Sequence, residues 1–248
     1  MISIAIDTCD SRGSVAIRRD TVTVVSRRHD STEDYSSWLL PAVDSVLREA
    51  SVGFRDLNLI AVATGPGSFT GVRVGLTVAK AWGEVYGVPL VGVSRLEAMA
   101  SIANRGSSVG GGPEWVAPFY DAHRGEIFAA LYRVAEGSTF DLADSEAVIA
   151  PAEFLKVVND KAGTQAVRWL SLDPELLSAL PEWASRAALR EHIDLYPPDL
   201  ASSIGEIGER RARESLTTDS LYLDANYVRR SDAELFWKDV TRKDPARQ

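Results

Sequence analysis

Three clusters in this 248-residue chain carry side chains suited to chemistry. The first is Asp121-Ala122-His123-Arg124-Gly125-Glu126, which brings carboxylate, imidazole and guanidinium within one short run. Facing a cleft, such a set can move protons. As a turn held by Asp121, with Arg124 in a surface ion pair, it is purely structural. The second is Asp7-Thr8-Cys9-Asp10, which follows an apolar strand and precedes a turn through Ser11, Arg12 and Gly13. A carboxylate placed there caps the turn or helps organise a metal and a phosphate. The third is Gly65-Pro66-Gly67-Ser68-Phe69-Thr70-Gly71, between an apolar run (59–63) and a long helical stretch. Its glycines admit a close backbone approach, and Ser68 or Thr70 can cap the helix. Both phosphate signatures based on glycine fail here, because Thr70 stands where a Walker loop needs its second glycine. Asp7, Gly65, Gly67 and Ser68 nevertheless remain candidates for contact with an anion at a helix start.

Other chemistry lacks its parts. His29 with Asp30 and Asp121 with His123 are the closest potential ligand pairs, and neighbouring side chains serve one metal poorly. There is no His-x-x-x-His and no Cys-x-x-Cys. The sequence therefore predicts neither a metal site nor a catalytic residue set. Cys9 is the only cysteine, so an internal disulfide is impossible and a reducing compartment is expected. A net charge of −8 opposes an independent grip on nucleic acid, which relies on clustered Lys and Arg. No apolar run approaches the roughly 20 residues of a membrane span. The N-terminus reads as a strand and not as a signal peptide, so a cytoplasmic protein is expected.

The elements that position these clusters follow from periodicity. Strands are predicted over 2–6, 14–18 and 21–27, then a helix over 31–50 with Ser31 and Asp34 as a capping box. Within it Trp38 is core or a partner-facing anchor, and Pro41 marks a kink or an early turn. The helix after the glycine loop runs to about Tyr86 and carries small residues four apart: Gly67, Gly71, Gly75, Ala79, Gly83, Gly87. Each interior glycine costs about 1 kcal/mol relative to alanine, so the stripe needs a compensating purpose. Phosphate binding, tight packing inside the domain, and docking of a partner helix all fit. A strand (89–93) and a capped helix (94–103) follow, then the linker-like run 104–113. Beyond it, strands at 116–120 and 126–133 flank the Asp121 turn and repeat the order of the N-terminal hairpin. Candidates then alternate: strand 146–150, helix 151–159, strand 166–171, helices 174–180 and 181–192. A helix over 200–214 is expected to return to the first domain, and 238–248 to form a tail.

Residues 65–76, GPGSFTGVRVGL, closely resemble the signature of the bacterial TsaB family. The resemblance spans 4–92, 118–132 and 227–234, the last reading YVRRSDAE. The strand–Asp–turn–Gly–strand opening is also similar to the phosphate hairpin of the actin, Hsp70 and sugar-kinase superfamily, with Cys9 and Asp10 replacing its usual glycine-threonine companions. The resemblance implies an α/β protein of two actin-like (ribonuclease H-like) lobes, with mixed sheets flanked by helices. The first lobe would hold 1–105 plus about 200–248, and the second 106–199. It further implies a non-catalytic partner of TsaD, which installs threonylcarbamoyl on tRNA adenosine next to the anticodon, with TsaE joining the pair. A homodimer would form when TsaD is absent, and tRNA would be met only indirectly. No cofactor of its own is implied, though ATP or ADP could lodge at the complex interface. The implied partner interface is Trp38, Pro41, Gly71, Gly75, Ala79 and Gly83. Two rival readings remain: a kinase of the same fold with Mg–ATP held by Asp7 and the loop after Ala63, and a peptidase. The chain departs from the family at Tyr35-Ser36, where relatives carry His-Ser, and after Leu235.

Overall fold

The computed structural model describes residues 1–29, 33–103, 115–134, 140–196 and 199–228. The predicted linker (104–113), the tail (238–248), Ser31 of the predicted capping box, and most of the YVRRSDAE segment lie outside the described residues.

A first sheet is ordered β3-β2-β1-β4-β5. Its strands are β1 (Ile2–Asp7), β2 (Ser14–Arg19), β3 (Val22–Arg28), β4 (Leu59–Gly65) and β5 (Leu90–Ser94). The hairpins β1–β2 and β2–β3 are antiparallel, whereas β1–β4 and β4–β5 are parallel, so the sheet is mixed. Parallel neighbours require crossover helices, which cover a sheet's faces. Residues 3–7 of β1 are accordingly buried throughout.

Alternation along β1 tells the two faces apart. Ile6 points toward α2 (Phe69–Tyr86), where Gly75 would bring an added Cβ within 3.7 Å of it. Ser3 and Ala5 point the other way, toward α7 (Ala201–Arg213). Gly205 and Gly208 let α7 lie almost on the sheet, since Cβ atoms there would fall 2.3 Å from Arg18 and 2.6 Å from Ala61. Glu209 on α7 is buried and bonded to the Ser3 hydroxyl at 2.7 Å and the Arg18 guanidinium at 3.2 Å. The helix α7 therefore packs on the first sheet.

The helix α1 (Tyr35–Glu49) starts at Asp34, whose side chain makes no capping bond, so the predicted capping box is not what begins it. Pro41 lies inside the helix, and the helix continues through it. Pro41 and Ser37 are both exposed, so water can take over the hydrogen bond that proline cannot donate to the Ser37 carbonyl.

The second sheet is ordered β10-β7-β6-β11-β12, with β8 pairing β6 and β9. Its strands are β6 (Trp115–Asp121), β7 (Ile127–Ala129), β8 (Tyr132–Val134), β9 (Phe140–Leu142), β10 (Ala147–Ile149), β11 (Val167–Leu170) and β12 (Ile193–Asp194). One strand was expected over 126–133, and the structure divides it into β7 and β8. The register pairs Phe119 with Ala129 and Val116 with Tyr132, which sets Pro118 opposite Ala130. Proline has no N–H for the ladder, so only the bond from the Ala130 N–H to the Pro118 carbonyl, at 3.2 Å, remains there. Between the sheets and beyond lie α3 (Arg95–Ala103), α4 (Pro151–Ala162), α5 (Glu175–Ser178) and α6 (Ala184–Ala188). The helix predicted over 181–192 is a 3-10 turn (Pro181–Trp183) followed by the short α6. Buried Arg186 ends that region by pairing with Glu191 at 2.6 Å. Among the described residues no helix is long and apolar enough to cross a membrane.

Two outcomes follow from this packing. Gly75→Leu should destabilise the folded chain by about 3 kcal/mol or more, because its Cβ alone would sit 2.4 Å from Thr8 Oγ1. Glu209→Ala should cost about 3 kcal/mol by leaving the buried Arg18 without its carboxylate. Chemical denaturation of each variant measures both, and a midpoint unchanged from wild type would contradict the assignment.

Candidate functional site

The parallel strands of the first sheet end where the second sheet begins, leaving a cleft of 890 Å³. In open α/β sheets such crevices lie at the carboxyl ends of the strands. One wall is the turn after β1, from Cys9 to Ser11, together with the start of α2 from Gly67 to Arg73. The other holds Tyr120, Asp121, Ala122, His123 and Phe128. Asn226, Tyr227 and Val228 complete the rim.

Glycine is needed where β1 and α2 meet. The Ser68 N–H donates to the Cys9 carbonyl at 2.7 Å, and the Thr8 hydroxyl donates to the Gly71 carbonyl at 2.7 Å. These bonds draw the helix onto the end of β1. A Cβ on Gly67 would fall 2.2 Å from Cys9 O, and one on Gly71 2.1 Å from Thr8 O. Further along, Ala79 is fully buried and Gly83 would bring a Cβ to 3.1 Å from Leu90. Gly71, Gly75, Ala79 and Gly83 are thus spent inside the chain's own fold. The expectation that they form a partner-facing groove is corrected: the small residues compensate for their helix cost by close approach to β1, β4 and β5. Of the two other residues in that expected interface, Trp38 is half-buried and meets the His29 ring edge-on at 5.0 Å, while Pro41 is exposed.

All four candidate anion contacts gather at this end of the sheet, yet only Gly67 and Ser68 line the cleft. Gly65 is covered: its φ is +114°, and a Cβ would meet the Asn226 carbonyl at 2.9 Å. Ser68 caps α2 by accepting from the Gly71 N–H at 3.4 Å. Asp7 is fully buried with both oxygens engaged, one by the Cys9 N–H at 3.0 Å and the other by Arg95 Nε at 3.1 Å. Arg95 is itself fully buried and lies over the Tyr120 ring at 4.4 Å.

From that pair an ion chain leads outward. Arg95 Nη2 reaches Asp10 at 3.3 Å, and Arg12 Nε reaches the same carboxylate at 3.0 Å. Arg12 then grips Asp173, past the end of β11, through two bonds of 3.0 and 2.9 Å. Burial works against the charge on Asp10, but Arg95 and Arg12 hold its carboxyl below the usual range. Burial pushes the Cys9 thiol well up, and Asp7 adds to the rise, which leaves it without thiolate character.

These residues do not fit a metal–nucleotide complex at the head of β1. The carboxylate that would face the cation already has a guanidinium against it, and removing that partner would strand a buried charge. Among the described residues no three His, Cys, Asp or Glu side chains gather as a metal-binding group. The Asp121 cluster is a turn: Asp121 accepts from the His123 N–H at 2.7 Å and pairs with an imidazole that is 84% exposed. The sequence reading missed Arg95. Its signal is an arginine in the first turn of a helix, where the macrodipole disfavours a cation unless a carboxylate waits nearby. It also missed the segment after α7. Tyr227 bonds Arg73 at 3.1 Å, the Leu223 carbonyl takes Lys80 at 3.0 Å, and Ser220 bonds Glu84 at 2.7 Å. Those contacts lay the segment antiparallel along α2.

Comparison with known proteins fits this architecture. A family profile described as "TsaD: tRNA N6-adenosine threonylcarbamoyltransferase" matches residues 26–204. The tRNA threonylcarbamoyladenosine biosynthesis protein TsaB of Bacillus subtilis is 30% identical over 161 residues, 65% of this chain and 67% of that protein. Its namesake in Escherichia coli is 31% identical over 169 residues, covering 68% and 69%. A Pseudomonas aeruginosa crystal structure, described as similar to the peptidase YEAZ, superposes with a TM-score of 0.72. It is 25% identical to this chain, over 92% of this chain and 99% of that one. With the two TsaB relatives matched over two thirds of their length and its glycine loop closed onto β1, the chain belongs to the TsaB family.

Proposed function

We propose that this protein is a non-catalytic subunit in tRNA threonylcarbamoyladenosine biosynthesis, activating a TsaD-type transferase by pairing helices with it. The single observation that carries this reading is the state of Asp7, whose carboxylate is neutralised by Arg95 and withdrawn from the cleft. A chain that spends this carboxylate internally is suited to leave the chemistry to a partner. The names of its relatives support a partner whose reaction is on tRNA adenosine. With a net charge of −8, tRNA contacts fall to the partner.

The surface available for pairing is the outer side of α1 and α2, not the glycine stripe. At 100° per residue, Thr70, Val74, Thr77, Ala81 and Val85 share one side of α2. Four of them are exposed, and Val74 is half-buried. On α1, Leu40, Pro41 and Asp44 are exposed. Thr77 and Ala81 are short, so a partner helix can come close, and Leu40 and Val85 supply apolar contact at 54% and 72% exposure. When TsaD is absent a second copy takes the same surface. TsaE joins the pair, ATP or ADP binds at the boundary between subunits, and the assembly works in the cytoplasm.

Thr77→Arg and Ala81→Arg should each weaken co-purification with TsaD at least about tenfold while leaving the unfolding midpoint near wild type. Retention of TsaD by both variants at wild-type levels would overturn the reading. Calorimetry of the isolated chain with Mg–ATP should give no heat of binding at micromolar concentrations. A 1:1 isotherm there would favour the kinase reading instead.

A further inference from the structure

We infer that Arg12 and Asp173 form the releasable end of a latch between the two sheets, and that its opening is felt at the start of α1. The inner links of the ion chain are fixed: Asp7 and Arg95 are fully buried. The outer link differs. Arg12 and Asp173 retain 31% and 21% exposure, and their two-bond contact joins the β1–β2 turn of the first sheet to the residues after β11 of the second. A pair at this depth is open to water and salt, while its geometry, with each terminal guanidinium nitrogen donating to one carboxylate oxygen, is strong enough to hold.

The turn that carries the latch is wired to α1. The Tyr35 hydroxyl donates to the Asp10 carbonyl. His29, buried against the Tyr35 ring at 4.4 Å, contacts the Ser11 carbonyl through Nδ1 at 2.8 Å and the Glu33 carbonyl through Nε2 at 2.7 Å. Displacing residues 10–12 therefore pulls on both sides of the α1 N-terminus. The latch makes the seating of the β1–β2 turn a variable that the helical surface can sense. Its link to docking rests on the pairing proposed above, but the latch itself belongs to the isolated chain.

Hydrogen exchange on the isolated, full-length protein tests it without a partner. Arg12→Ala and Asp173→Asn should each speed exchange about tenfold at Ser11 and Asp173, and also at Ser37 and Trp38 in the first turn of α1, with α7 unchanged. Arg12→Lys, which keeps the charge but not the fork, should give a smaller rise. Wild-type protein in 1 M salt, where screening acts within about 3 Å, should reproduce the alanine pattern without any substitution. Wild-type exchange at Ser11 and Asp173 in either variant, or a rise there with none at Ser37 and Trp38, overturns the inference. Loss of TsaD binding by the Thr77 and Ala81 variants bears on the pairing alone.

Discussion

The fold depends on how closely the first turn of α2 can approach the end of β1. Two hydrogen bonds, from Thr8 to the Gly71 carbonyl and from Ser68 to the Cys9 carbonyl, fix that approach at 2.7 Å each. Neither survives a side chain at Gly67 or Gly71, where a Cβ would meet backbone oxygen at 2.2 and 2.1 Å. Backbone cannot retreat as a flexible side chain can, so the helix would have to lift. Lifting it would release the buried face formed by Val72, Leu76 and Ala79 and uncover the sheet. The conformational cost of glycines in a helix is recovered here as contact.

That approach also determines what the cleft can hold. With α2 seated on Cys9, Gly67 is filled by the chain's own backbone, and Asn226 covers Gly65. Arg95 then occupies the place beside the Asp7 carboxylate, at 3.1 Å from it. A guanidinium is always charged and needs no delivery, so Asp7 keeps its counter-charge permanently. What remains open is a cleft rimmed by aromatic rings: Phe69, Tyr120, Phe128 and Tyr227. Arg73 lies 3.5 Å over the Phe69 ring, and Tyr227 holds it there.

Much of this was legible in the residues. The period-2 and period-3.6 patterns locate both sheets' main strands and the helices α1, α2, α3, α4 and α7 within a few positions. The run at 65–76 carries the family resemblance. The direction of the glycine stripe was not legible. A row of small residues fits a partner's backbone or the chain's own equally well, and only the position of Thr8 relative to Gly71 and Gly75 decides between them. Nor could the pairing of Asp7 with Arg95 be read, because the two lie 88 positions apart and meet only once the sheet has formed. Pro118 offered a usable clue to the divided strand β7–β8. Its partner across the ladder, Ala130, is known only from the register.

The seating of α7 has a consequence for how the protein is made. Ser3 and Glu209 are bonded across 206 positions of sequence. The inner face of β1, with Ala5 and its neighbours, cannot be covered until nearly the whole described chain has left the ribosome. Contacts of such long range form late and slowly, and a sheet waiting for its last helix exposes apolar surface meanwhile. Biosynthesis of this protein thus includes an interval in which its opening strands rely on chaperones or on speed.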